Sequence, residues 1–181
     1  LVEGLFGVSP DLINQRLTIR PGWPSDWPFA FMETPDLKIQ FKRDGLVDNY
    51  RIDSHFSKAL SLKLLAKARL ESVKSVRLNG QETVWKLVEN AIEFPELEII
   101  TPSGSNFELE IVWDGNSLER FSTKSFYAKG ETLSIELKSS HITKVFDPQL
   151  ILKSVKAGKS LQAELQGELG GRTAFVKLQQ G

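Results

Sequence analysis

Leu60–Leu70, LSLKLLAKARL, is the stretch on which the fold turns. Its Ala, Leu, Lys and Arg favour helix. The even positions 60–70 are Leu, Leu, Leu, Ala, Ala and Leu, all apolar, while the odd positions 61–69 are Ser, Lys, Leu, Lys and Arg. That is the period-2 pattern of a half-buried strand. A helical stripe through 60, 63, 64, 67, 68 and 71 would instead bury Lys63, Lys67 and Glu71. Because burial pattern overrides propensity, the segment is predicted to be a strand, and no long helix remains in the chain.

The same rhythm runs outward from it. Upstream, Leu37, Ile39 and Phe41 alternate with Lys38, Gln40 and Lys42. Asp44-Gly45 is a hairpin turn signal, and the return strand places Leu46, Tyr50, Ile52 and Phe56 on one face. Downstream, Val76 and Leu78 lead into Asn79-Gly80, a type I′ turn pair whose two residues both need positive φ. Trp85 and Leu87 follow on the return. Ile92, Phe94, Leu97 and Ile99 continue the alternation, and Pro102–Ser105 reads as a loop. Phe107, Leu109, Ile111 and Trp113 then occupy one face of a strand, with Glu108 and Glu110 on the other.

Asp114-Gly115-Asn116-Ser117 is polar, turn-rich and the expected domain boundary. Residues 1–114 carry 13 basic and 17 acidic side chains, whereas 115–181 carry 10 basic and 6 acidic, so the charge balance changes sign there. Beyond it come Leu133, Ile135 and Leu137, then Ile142–Phe146, then Gln149–Leu152 after Asp147-Pro148. Leu161, Ala163 and Leu165 alternate next, and Gly167, Gly170 and Gly171 form a hairpin turn into Thr173–Leu178. Short strands with closely spaced turns predict an all-β protein. It is an antiparallel sandwich, jelly-roll or immunoglobulin-like, at 15–114, followed by a smaller immunoglobulin-like β unit at 115–181. The sequence leaves open whether 115–181 stands alone or completes the first sandwich.

The totals exclude several function classes. Cysteine is absent, which removes disulfides, Cys–zinc sites and a Cys nucleophile. Lys+Arg and Asp+Glu are both 23, so no global charge recruits nucleic acid. No apolar run approaches the roughly 20 residues of a membrane helix. Neither a Gly-x-Ser-x-Gly motif nor a phosphate-binding loop occurs. Asp53 and His55 share a strand face, but two ligands do not hold a metal. His141 stands alone. No cofactor is therefore expected.

Residues 1–43, LVEGLFGVSPDLINQRLTIRPGWPSDWPFAFMETPDLKIQFKR, contain two of the four Trp and the single Met. Gly4-Leu5-Phe6-Gly7-Val8 is apolar and Gly-bracketed, Leu17-Thr18-Ile19 is a short strand, and Pro21-Gly22-Trp23-Pro24-Ser25-Asp26-Trp27 is a proline-rich joint. This order resembles the exit from the catalytic barrel of six-hairpin, (α/α)6-barrel glycoside hydrolases and phosphorylases. The Val76-Arg77-Leu78-Asn79-Gly80 turn is similar to one in the sandwiches that follow such barrels. The resemblance covers about residues 1–114. It implies that 1–14 lead out of a missing upstream domain and that the catalytic carboxylates lie in that domain. The chain would then be a non-catalytic accessory region that packs on the barrel, contacts oligo- or polysaccharide, and resides in the periplasm or outside the cell.

Glycoside hydrolysis needs two carboxyl groups flanking the sugar, and Asp26, Glu33 and Asp36 in a proline-rich stretch read as caps and solvated turn residues. Trp23, Trp27 and Phe29, with Asp26, are the candidate site, as sugar-stacking platforms or, in the preferred reading, as a wedge between two domains. Exposed rings would be the trace of an absent barrel. Trp85 and Trp113 are expected in the core. The competing readings are an independent carbohydrate-binding module and a structural cell-surface immunoglobulin-like domain.

Overall fold

A computed structural model describes residues 2–88 and 91–180; Leu1, the first residue of the expected exit segment, lies outside them. The described residues are all-β, with no helix and sixteen strands in two compact units, Leu1–Asn116 and Ser117–Gly181. The observed division falls two residues from the expected boundary. The expected boundary at 14/15, by contrast, lies inside the first unit.

The first unit has eleven strands in two sheets. One sheet contains β1 (Val8–Asp11), β2 (Arg16–Ile19), β6 (Leu60–Lys67), β9 (Lys86–Leu87) and β10 (Glu96–Gly104), in the order β1-β2-β6-β10-β9. The other contains β3 (Phe29–Glu33), β4 (Leu37–Asp44), β5 (Val47–Ser54), β7 (Leu70–Leu78), β8 (Gln81–Glu82) and β11 (Asn106–Ser117), in the order β3-β4-β5-β11-β7-β8. The β2–β6 pair is parallel, Arg16 facing Ser61 and Ile19 facing Leu64.

β6 confirms the strand reading. Leu60, Leu62, Leu64 and Ala66 are fully buried and alternate with half-buried Ser61, Lys63 and Leu65. They meet Leu17, Ile19, Leu97 and Ile99 of their own sheet and Ile39, Phe41, Ile52, Leu109 and Trp113 of the other in one core. This is a β-sandwich, and each inner face is the apolar half of an alternating strand. Asn79 and Gly80 have φ of 49° and 80°, as the type I′ turn requires.

Four local expectations are corrected. The sandwich does not begin at residue 15: β1 is an edge strand of it, and Phe6 and Val8 are core residues. Gly7 is needed there, because at its φ of 61° a Cβ would lie 1.8 Å from the Arg20 carbonyl oxygen. Trp85 is not a core residue; it is 41% exposed in the connection that crosses from β8 to β9. Pro102–Ser105 is no loop, because β10 absorbs a bulge between Ile100 and Ser103 and runs on to Gly104. Finally, Leu46 is exposed and the inward position two residues on is taken by a carboxylate, Asp48.

Asp48 is 1% exposed. Its Oδ1 accepts from Arg43 Nε at 2.8 Å and Arg69 Nη1 at 3.3 Å, and its Oδ2 accepts from the Trp113 indole at 2.9 Å. Arg69 also donates to the Gly45 carbonyl at 2.6 Å, and Arg43 donates to the Ser25 carbonyl.

The second unit has a three-stranded sheet, β12 (Thr132–Glu136), β15 (Ser160–Leu165) and β14 (Leu152–Ala157), and a two-stranded one, β13 (His141–Phe146) with β16 (Phe175–Gln179). The glycine turn at 167–171 is thus not a hairpin, since β15 and β16 belong to different sheets. Nor does Gln149–Leu152 form a strand: Asp147 caps the Ile151 and Leu152 amides at 3.0 and 2.7 Å, delaying β14 to Leu152. Ile135, Leu137, Ile142 and Leu161 form the centre of its core. The entering chain is fastened by Glu119, whose carboxylate accepts the backbone amides of Lys138, Ser139 (3.0 Å) and Ser140 (2.7 Å).

Two predictions follow from these carboxylates. Asp48→Ala leaves two arginines and an indole N–H without their acceptor, and should cost about 3–5 kcal/mol in denaturant unfolding. Hydrogen bonding, led by the Lys138 amide, holds the Glu119 carboxyl at about 2 instead of 4.5. The folded pKa is the lower one, so this stabilisation is complete above pH 4.5 and is lost as the pH falls through about 2. Glu119→Gln should remove that pH dependence, read by NMR titration and by acid unfolding of the Ser117–Gly181 unit.

Candidate functional site

The sequence-predicted site residues do not form one site. Trp23 is 6% exposed and sits in the core of the first unit. Its ring lies 5.6 Å from Phe6, 5.0 Å from Phe41 and 6.3 Å from Tyr50. The proline-rich joint therefore carries the chain from β2 in one sheet to β3 in the other, and Trp23 plugs that crossing. It is neither a sugar platform nor a wedge between domains. Local backbone bonds explain the path: Arg20 N donates to the Gly7 carbonyl and Gly22 N to the Leu5 carbonyl. A Cβ on Gly22 would meet the Gly4 carbonyl oxygen at 2.4 Å.

Trp27, Phe29 and Asp26 are exposed, and Phe31 joins them. Phe29 and Phe31 are 68% and 53% exposed. They lie on β3, an edge strand of the six-stranded sheet. Pro28 O accepts from Arg43 N and Thr34 N donates to Leu37 O, both at 2.8 Å. In an antiparallel ladder that parity assigns even residues to β4 and points the backbone groups of Phe29, Phe31 and Glu33 away from the sheet. Native edges are commonly guarded by charge, Pro or shortness; here Pro28 and Glu33 flank the apolar Phe29–Met32 of a five-residue strand. Glu33 is committed to Lys38 at 3.4 Å.

The outer face of the same sheet carries a hollow of about 390 Å³ that crosses β4, β5, β11 and β7. Two cross-strand rows run through it by register, each reaching a β3 ring that lies outside its lining. One is Phe29–Lys42–Asn49–Glu110, and the other is Phe31–Gln40–Arg51–Glu108. Arg77 pairs with Glu110 at 3.3 Å, and Arg51 with Glu108 at 3.6 Å and Asp53 at 3.5 Å. Among the described residues, the side chains of Gln40, Lys42 and Asn49 are uncommitted. Sequence reading missed this face because its residues are the polar half of alternating strands. The only signal was Phe29 and Phe31 at outward positions of a strand. A second hollow, of about 420 Å³, borders Glu119 in the smaller unit, but the carboxylate of Glu119 already fills its amide cluster.

Asp53 is half-buried in β5 and His55 exposed just beyond it. No group of three His, Cys, Asp or Glu able to hold a metal occurs among the described residues. No helix there is long and apolar enough to cross a membrane. No protein-family model matches the chain, and no curated protein or solved structure matches it.

The two tryptophans give opposite predictions. Trp23→Ala should cost about 3–5 kcal/mol of unfolding free energy. Trp27→Ala, at an exposed position, should stay within about 0.5 kcal/mol. A small loss at Trp23 would contradict its place in the core.

Proposed function

We propose that this chain is the non-catalytic β-sandwich region of a carbohydrate-active enzyme, docked on the enzyme's catalytic barrel through β3. The observation that supports this reading is the exposed aromatic edge formed by Trp27, Phe29 and Phe31 beside outward-pointing backbone groups. A contiguous exposed apolar patch marks an interaction surface, and an unpaired edge of this kind is completed by another chain segment. The resemblance of 1–43 to a barrel exit supplies the partner. The segment's role is revised, however: it is built into the sandwich, with its β3 end presenting exposed rings. The chemistry belongs to the barrel, and the sandwich buttresses it. With such a parent goes an address in the periplasm or outside the cell.

Sequencing the gene upstream of the Leu1 codon tests the parentage. An (α/α)6 barrel bearing paired carboxylates is the expected result, and a start codon or signal peptide immediately before Leu1 would overturn it. Hydrogen exchange tests the docking. The Phe29 and Phe31 amides should exchange fast in the 181-residue chain and at least tenfold more slowly in the full polypeptide, by roughly the protection that edge pairing confers. Equal rates in both would rule out the β3 contact.

A further inference from the structure

The hollow on the outer face of the six-stranded sheet has a chemistry of its own. Gln40 and Asn49 present amides, Arg51 and Arg77 guanidinium groups, and Glu108 and Glu110 carboxylates, all on neighbouring strands. Donors and acceptors are interleaved. A phosphodiester offers acceptors alone and would leave the Glu108 and Glu110 carboxylates without donors. A sugar hydroxyl both donates and accepts, so it is satisfied anywhere in such a lattice. Strand spacing of about 4.8 Å makes the crossing from β4 to β7 roughly 14 Å, room for a short oligosaccharide laid across the strands. The β3 end of each row finishes in an exposed ring, Phe29 or Phe31, an apolar surface against which the C–H face of a pyranose packs.

Charge then narrows the class. Within the hollow Arg51 and Arg77 are each balanced by a glutamate. Lys42 lies between Phe29 and Asn49 in the register and has no acidic partner among the described residues. A ligand that stacks on Phe29 and bonds Asn49 brings its substituents to that ammonium group.

From these observations we propose that the outer face of the six-stranded sheet is a glycan-binding groove for a uronic-acid-bearing oligosaccharide, with a carboxylate of the sugar seated at Lys42 beside Phe29 and Asn49. The inference rests on the carbohydrate reading for its biological setting. Its evidence is the hollow, whose lining lies on β4, β5, β11 and β7 and in the turn after β7, beside the Phe29 and Phe31 rings of the docking edge.

The test is titration calorimetry of the 181-residue chain with tetragalacturonate, and with neutral cellotetraose and xylotetraose. Binding of tetragalacturonate is expected, weakened about fivefold by Lys42→Gln, the upper range for one exposed ion pair, and weakened by raising salt to ~0.5 M. Arg51→Ala, at the middle of the groove, should abolish it, with thermal melts verifying that both variants fold. Equal affinity for neutral and acidic tetraoses, unchanged by Lys42→Gln, would overturn the acidic specificity. Binding that survives Arg51→Ala, or no binding of any tetraose, would overturn the groove. Neither result touches the parentage, which the upstream sequence decides separately.

Discussion

A carboxylate buried at one end of the sandwich sets its geometry. Asp48 stands at an inward position of β5, where the alternation calls for an apolar side chain. Burying an ion there is costly unless every lone pair is used. Here Arg43 comes from the neighbouring β4, Arg69 from the turn between β6 and β7, and the Trp113 indole from β11. The two arginines then reach out to the Gly45 and Ser25 carbonyls. Five separate segments are held to one point. Replacing such a cluster with apolar residues need not lose stability, so its value lies in specifying register. A strand slipped by one residue turns Asp48 to the solvent face and strands both guanidinium groups.

The crossing between sheets is the second constraint. The chain leaves β2, passes Pro21–Pro28 and enters β3, and Trp23 is the part of that passage that turns inward. Its neighbours Phe6, Phe41 and Tyr50 come from the N-terminal segment, β4 and β5. Burial of the Tyr50 hydroxyl beside Asp48 raises its pKa, which keeps it neutral against the carboxylate. The aromatic cluster and the ion cluster are therefore adjacent parts of one closure. Arg43 bridges them, lying 5.4 Å over the Phe41 ring while it binds Asp48.

What was legible in the sequence is what periodicity encodes. Leu60–Ala66, Leu37–Phe41 and Phe107–Trp113 each place an unbroken apolar row at every second position, and that row lies in the core as read. Asn79-Gly80 was legible because few residue pairs tolerate two positive φ values. Single aromatics were not. Trp23 sits in a proline-rich stretch with no period to report burial, and Trp85 follows a strand that stops three residues earlier, at Glu82. Asp48 was hidden for the opposite reason. Alternation predicts which face a residue occupies, but not that donors from β4, the β6–β7 turn and β11 will converge on it. The groove was invisible for a related reason: a polar outer face reads the same whether it meets solvent or a ligand, until the register places uncommitted amides and an ammonium side by side.

The six-stranded sheet thus separates its tasks by face. The inner face carries the core and the ion cluster, where changes of a single group are felt throughout the sandwich. The outer face carries Gln40, Lys42 and Asn49, whose side chains hold nothing in the fold. Residues free of structural duty are those a sheet can devote to recognition, because varying them leaves the core untouched. The β3 edge has the same freedom in its backbone. Phe29 and Phe31 belong to both surfaces: their rings close the rows of the groove while their amides point off the sheet. A partner strand added at β3 would extend the groove wall, so docking and ligand contact would be physically adjacent on one sheet.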